Sequence, residues 1–223
     1  MQQDKNENIK KFTTIEDFNK LCSEVHPEPY KEFQRLSILF SSIIKQNGPD
    51  SFSTTLVVYN QIKRLVGIVS SRLVQDKQDL YKSMAQMLYF PMSLNSSLFI
   101  VAQDAKIHSL SQDSDQSKQP IEALVVTYVT PDDCIVFTVP YTVSNDNDVV
   151  FSYENSWISS INEDAKNSGG DMLELFYTFS HSSTSGPFSP HEVLSFLKIN
   201  NFNFEIINPK NMSTNHVALP LAI

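Results

Sequence analysis

Apolar residues recur at three- and four-residue spacing through the first ninety or so positions and at two-residue spacing afterwards, with the change near Pro91. The stretch TIEDFNKLCSEV, which begins at Thr14, carries a helix-cap pattern, Thr14 standing three residues before Asp17. It should end at His26, because Pro27 disfavours helical geometry in the residue before it. From Tyr30 to Lys45 the stripe Phe33, Leu36, Phe40, Ile43 and Ile44 predicts a second helix, closed by Gly48-Pro49-Asp50-Ser51. Val58, Ile62, Leu65, Val66, Val69 and Leu73 fit a third helix over 54–74. Leu80, Met84, Met87 and Leu88 fit a fourth over 79–90. Four helices with one apolar face each predict a bundle over residues 1–95.

Beyond Pro91, β-branched and aromatic residues become frequent. SLFIVAQ reads as a strand, and SQDSDQSKQ (111–119), which has nothing to bury, reads as a surface loop. IEALVVTYV and CIVFTV flank Thr130-Pro131-Asp132-Asp133, whose proline and carboxylates favour a tight turn, so the pair predicts a hairpin. DVVF adds a short strand. Asn155 or Ser156 would cap a helix carrying Trp157, Ile158, Ile161 and Ala165, ended by Gly169-Gly170. DMLELFYTFS predicts a strand, SPHEVLSFLK a helix and FNFEII a last strand. The fold class expected is therefore α+β: an N-terminal helical bundle over 1–95, then a mixed sheet with flanking helices over 96–223.

Composition narrows the function. With 223 residues, 41% of them hydrophobic, the chain can bury a sizeable core. Its net charge of −8 and scattered basic residues would repel phosphate backbones, which argues against nucleic-acid binding. Cys22 and Cys134 lie far apart with no CxxC spacing, so neither a disulfide framework nor a thiolate zinc site is expected, and a reducing, intracellular, cytoplasmic setting is the default. The polar start MQQDKNENIKKF lacks the apolar core of a signal peptide, and no apolar run approaches the roughly 20 residues that span a bilayer, so membrane association is not expected.

Candidate chemistry gathers where the strand over 172–180 meets the next helix. Residues two apart in a strand share a face, which places Tyr177, Phe179 and His181 together, with His181 at the strand's C-terminal lip. Phe179-Ser180-His181 is followed by seven residues, then Ser189, Pro190-His191 and Glu192. This order resembles the JAB/MPN (JAMM) family. Its metalloprotease members carry an upstream Glu, then H-x-H, seven residues, Ser, two residues and Asp. The strand IEALVVTYV looks like the one that supplies the family's Glu, which would be Glu122. The resemblance covers residues 97–223 and implies an MPN-like fold.

In active members, as the resemblance has it, two histidines and the aspartate bind zinc, the Glu takes a proton from zinc-bound water, and the Ser stabilises the oxyanion. Here the catalytic candidates would be Glu122 and Ser189, and the metal candidates His181, Glu192 and, as a substitute nitrogen, His191. Phe179 stands in the first ligand position and Glu192 in the aspartate's. A phenyl ring offers no lone pair, so no cofactor is expected unless zinc sits in a rearranged site. A plainer account exists for each residue. Ser189, Pro190 and Glu192 form a capping-box sequence, His181 can simply end a strand, and Glu122 can face solvent. His26, His108 and His216 have no partner at a metal-ligand spacing. Three readings follow: a non-catalytic MPN-like subunit that binds protein partners in a hetero-complex, a zinc-dependent isopeptidase with a rearranged site, and an unrelated α/β interaction module.

Overall fold

The computed structural model describes residues 9–11, 14–71, 77–107, 120–160 and 188–212. In chain order these form β1 (Ile9–Lys11), α1 (Ile15–Val25), α2 (Pro27–Asn47), β2 (Thr55–Tyr59), β3 (Leu65–Ser70), α3 (Lys77–Ser93), β4 (Phe99–Ile107), β5 (Ile121–Val129), β6 (Cys134–Val143), β7 (Val149–Phe151), β8 (Trp157–Ser160), α4 (Pro190–Ile199) and β9 (Asn203–Ile206). The expected strand over 172–180, the helix beyond residue 160 and the loop over 111–119 lie outside the described residues, as do His108 and His216.

The strands make one sheet in the order β1-β8-β6-β5-β4-β2-β3-β9, and β7 pairs with the far end of β6. Every pairing among the described residues is antiparallel, so the mixed sheet expected from sequence is corrected on this point. The predicted hairpin is β5–β6, with Val129 opposite Cys134; Thr130 Oγ1 accepts a hydrogen bond from the Asp133 N–H at 3.0 Å. Along β6 the partner changes from β8, opposite Ile135 to Thr138, to β7, opposite Tyr141 to Val143. Pro140 stands at the change, where its carbonyl oxygen accepts from the Ser152 N–H at 2.8 Å.

Helices cover both faces. Phe18 and Cys22 of α1 and Phe33, Leu36, Phe40 and Ile44 of α2 are buried against Ile100, Leu124, Val126, Phe137 and Val139. On the other face Met84, Met87, Leu88 and Phe90 of α3 and Val193, Leu194 and Leu197 of α4 pack against Leu56, Val58, Val66, Val101 and Val136. The molecule is thus α+β, an antiparallel sheet enclosed between two helical layers.

This arrangement corrects the N-terminal bundle. The three helices of residues 1–95 lie on opposite faces of the sheet, and residues 55–59 and 65–70 are strands where a helix over 54–74 was expected. β2 is buried at every position, so it lacks the polar alternation that marks a half-exposed strand, and an apolar run of this kind also fits a helical stripe. The turn carries the missed signal. Asn60 Oδ1 accepts from the N–H groups of Ile62 (3.1 Å) and Arg64 (3.0 Å), and Lys63 takes the left-handed conformation at φ 56°. The boundary expected at 95/96 falls within one sheet, since β2 from before it pairs with β4 from after it.

A second correction concerns Trp157 and Ile158, expected in a helix. They lie in β8, after a single 3-10 turn at Tyr153–Asn155. The edge of β6 from Ile135 to Thr138 would otherwise leave buried backbone groups unpaired, and β8 supplies their partners.

Candidate functional site

The start of α4 is built by its own sequence. Ser189 adopts an extended N-cap conformation (φ −69°, ψ 156°), and Pro190 occupies the first helical position, where its missing N–H costs nothing. Ser189 Oγ accepts from the Glu192 N–H at 3.3 Å, and Glu192 Oε2 accepts from both the N–H and the hydroxyl of Ser189, each at 2.7 Å. This reciprocal capping box is complete, and it holds the Glu192 carboxyl below its ordinary range through the two Ser189 donors. His191 is exposed in the first turn. Phe179 and His181 lie outside the described residues.

Glu122 is positioned by β5. Alternation sends Leu124, Val126 and Tyr128 into the core beneath α1 and α2, so Glu122 belongs to the same face, near the strand's beginning. There Glu122 Oε1 lies 3.3 Å from Lys106 Nζ, its direct cross-strand neighbour on β4. α4 packs on the opposite face. The structure therefore brings Ser189 and Glu192 together and separates Glu122 from both by the sheet. Among the described residues no group of three or more His, Cys, Asp or Glu side chains is arranged to hold a metal ion.

Sequence reasoning missed a second cluster on the α1–α2 face. Tyr141 Oη of β6 donates to Asp104 Oδ1 of β4 at 2.8 Å, reaching across the intervening β5. Lys106 also approaches Asp50, in the α2–β2 connection, at 3.7 Å. Asp104 and Lys106 stand two apart in one strand, so their shared face was legible. Tyr141 and Asp50 join them only through strand order and the path of the connection.

The α3–α4 surface carries exposed apolar residues. Tyr89 and Phe196 meet edge to face at 6.3 Å, and Ile199 is largely exposed at the end of α4. Beside them an open cleft is lined by Lys82, Gln86, Ile199 and Asn201. Cys22 and Cys134 are both buried and free, and burial pushes each thiol up to about 12. No helix among the described residues is long and apolar enough to cross a membrane.

The class that fold and site define is thus an α+β protein with an antiparallel sheet between helical layers. No known family, curated protein or solved structure matches the chain.

Proposed function

We propose that the chain acts by binding a protein partner, as a non-catalytic subunit of a larger assembly, in which the MPN-like run from Phe179 to Glu192 serves the fold and not hydrolysis. The observation that carries this reading is the separation of Glu122 from Ser189 and Glu192 by the sheet. Zinc-assisted hydrolysis of an amide needs a general base within about 3 Å of the metal-bound water, and the base must share a pocket with the ligands. Glu192 is committed to the α4 cap, with both Ser189 donors on one of its oxygens. Phe179, as the sequence stands, supplies no ligand atom at the position where the resemblance calls for a histidine.

The test is elemental analysis of the purified chain, together with incubation against an isopeptide-linked substrate and gentle isolation of the tagged protein from its native cells. Zinc far below one per chain, no cleavage, and a second polypeptide recovered in fixed stoichiometry are the expected results. Stoichiometric zinc that disappears on His181→Ala, accompanied by cleavage that fails on Glu122→Gln, overturns the reading in favour of the isopeptidase. Restoring the family's ligand set with Phe179→His and Glu192→Asp should raise the zinc content towards one per chain if the MPN resemblance extends to the fold of this region. Failure to do so leaves the capping box as the whole account of Ser189 and Glu192.

A further inference from the structure

The β2–β3 turn and the segment after β9 meet at one corner of the molecule, where asparagines lock them together. Asn60 Nδ2 donates to the Asn211 carbonyl oxygen at 3.2 Å, and Asn211 Nδ2 donates to the Leu65 carbonyl oxygen at 2.7 Å. The N–H groups of Ile207 and Asn208 both reach the Val66 carbonyl oxygen. These bonds bring Lys63 and Arg64 of the turn alongside Lys210 of the 3-10 turn Pro209–Met212, and all three side chains are exposed. On a chain of net charge −8 this is a local excess of positive charge. None of the three forms an ion pair with a carboxylate among the described residues, whereas Arg35, Lys45, Lys82 and Lys106 each do. Apolar side chains stand among them, Ile62 66% exposed and Ile207 46% exposed.

β9 leads into this corner and ends the sheet on that side among the described residues. Ile206 lies opposite Gly67, and the Ile207 N–H bonds back to Val66, so alternation turns the N–H and C=O of Phe204 and Ile206 away from β3. Ile206 packs on the α3–α4 side, and Phe204, two residues earlier, shares that face and is exposed at its rim. Glu205, opposite Ile68, belongs to the α1–α2 side. A cationic corner therefore adjoins a strand edge with room for one more strand.

We propose that the corner and the β9 edge receive an extended acidic segment of a partner protein, with its carboxylates on Lys63, Arg64 and Lys210 and its backbone beside Phe204 and Ile206. The inference rests on the partner-binding reading and adds the surface and the chemistry of the partner. Antiparallel addition, the pattern of every pairing in this sheet among the described residues, puts the acidic residues at the segment's N-terminal end, because β9 ends at the corner. Charge selects the occupant, since three cations without carboxylates attract an acidic strand and reject a basic one. A membrane or a nucleic acid is also anionic, but it extends well past the Debye length of about 8 Å. It would meet Glu205 and, at the β5–β6 turn on the same end of the sheet, Asp132 and Asp133. A segment of five residues, about 17 Å long, meets the corner and the edge alone. The asparagine locks hold the turn in place beforehand, so binding need not order it.

The experiment measures fluorescence anisotropy of a labelled peptide, Asp-Glu-Glu-Val-Thr-Val-Thr with blocked ends, against the full chain. A counterpart with three lysines in place of the acidic residues, phosphatidylserine vesicles and a DNA duplex are measured beside it. The acidic peptide should bind at low salt with a Kd of about 100 µM or tighter, and the lysine counterpart at least about tenfold more weakly. Lys63→Glu with Arg64→Glu and Lys210→Glu should weaken binding by about tenfold or more, as should about 0.5 M salt, and the amides of Phe204 and Ile206 should gain exchange protection with peptide bound. No binding, equal binding by the triple variant, or binding of vesicles or DNA in preference to the peptide overturns the proposal. Self-association through these residues without peptide binding, read by sedimentation, also overturns it. Should the triple variant fail to fold, Lys63→Gln with Lys210→Gln replaces it, with a loss of about fivefold expected. A second polypeptide that co-purifies equally with native and triple-variant chains overturns this inference alone, whereas recovery of no polypeptide with the native chain counts against partner binding itself.

Discussion

Gly67 stands in β3 where β9 runs closest. A Cβ at this position would collide with the carbonyl oxygen of Glu205, on the neighbouring strand, and would also crowd Ile206. The obstacle is backbone, so no rotamer relieves it, and β9 would have to move outward. Gly67→Ala should therefore cost about 1–3 kcal/mol, seen as a lower urea midpoint with accelerated amide exchange from Asn203 to Ile206. Ser189 makes the complementary case of a side chain that is needed. Ser189→Ala removes the acceptor for the Glu192 N–H and one of two donors to its carboxylate, and should cost about 1 kcal/mol in thermal or urea denaturation, with or without added zinc. The cap also depends on pH. Because the Glu192 carboxyl is held low, its contribution is present above the ordinary carboxylate range and fades on acidification. The cap was legible because all its partners lie within four residues. The separation of Glu122 from it was not, since no local feature of IEALVVTYV says which face of the sheet α4 will cover.

Among the elements, α2 does the most to hold the first layer. Its inward stripe places Phe33 against Phe137 in a stacked pair at 5.4 Å and Phe40 against Tyr141, while its outward stripe leaves Ile38 69% exposed. Near its N-terminus Glu28 Oε2 accepts from Tyr128 Oη at 3.4 Å, a weak tie between helix and sheet. Phe33→Ala should lose about 3–5 kcal/mol, whereas Ile38→Ala should stay within about 0.5 kcal/mol, a contrast that urea titrations of the two variants would measure. α1, α2, α3, α4 and the β5–β6 hairpin follow from pattern and caps, because each has either a one-sided apolar stripe or a turn whose hydrogen bonds close on themselves. β2, β3 and β8 do not. β2 is apolar on both sides, and β8 is only four residues long, too short for any periodicity to speak.

At the scale of the whole molecule the sheet has helices on both faces, and this decides what reagents can reach. Cys22 sits within the α1–α2 layer and Cys134 within the α3–α4 layer, each buried with its thiol pushed up to about 12. Neither should react with an aromatic disulfide reagent at pH 8 in the native protein, and two thiols per chain should react in denaturant. Fast native reaction of one thiol would mean that its layer opens on the timescale of labelling. Such opening would distinguish the layers, since the first is sealed by a run of aromatic rings from Phe18 to Tyr153 and the second by methionine and leucine side chains.

By itself the sequence determined the local elements whose signals are complete within a dozen residues: the Thr14 and Ser189 caps, the breaks at Pro27 and Gly48, and the hairpin around Thr130 to Asp133. It also carried the acidic charge and the absence of a CxxC pair. Tertiary structure alone decided that the apolar run from Thr55 to Ser70 is a hairpin, that the helices before and after it lie on opposite faces, and that Glu122 meets Lys106 instead of Ser189. The physical reason is common to all three. A residue buried on both sides looks apolar whatever its backbone does, and a side chain's face depends on which strands pair and which layer covers them, contacts made between residues as much as 146 positions apart that no short window contains.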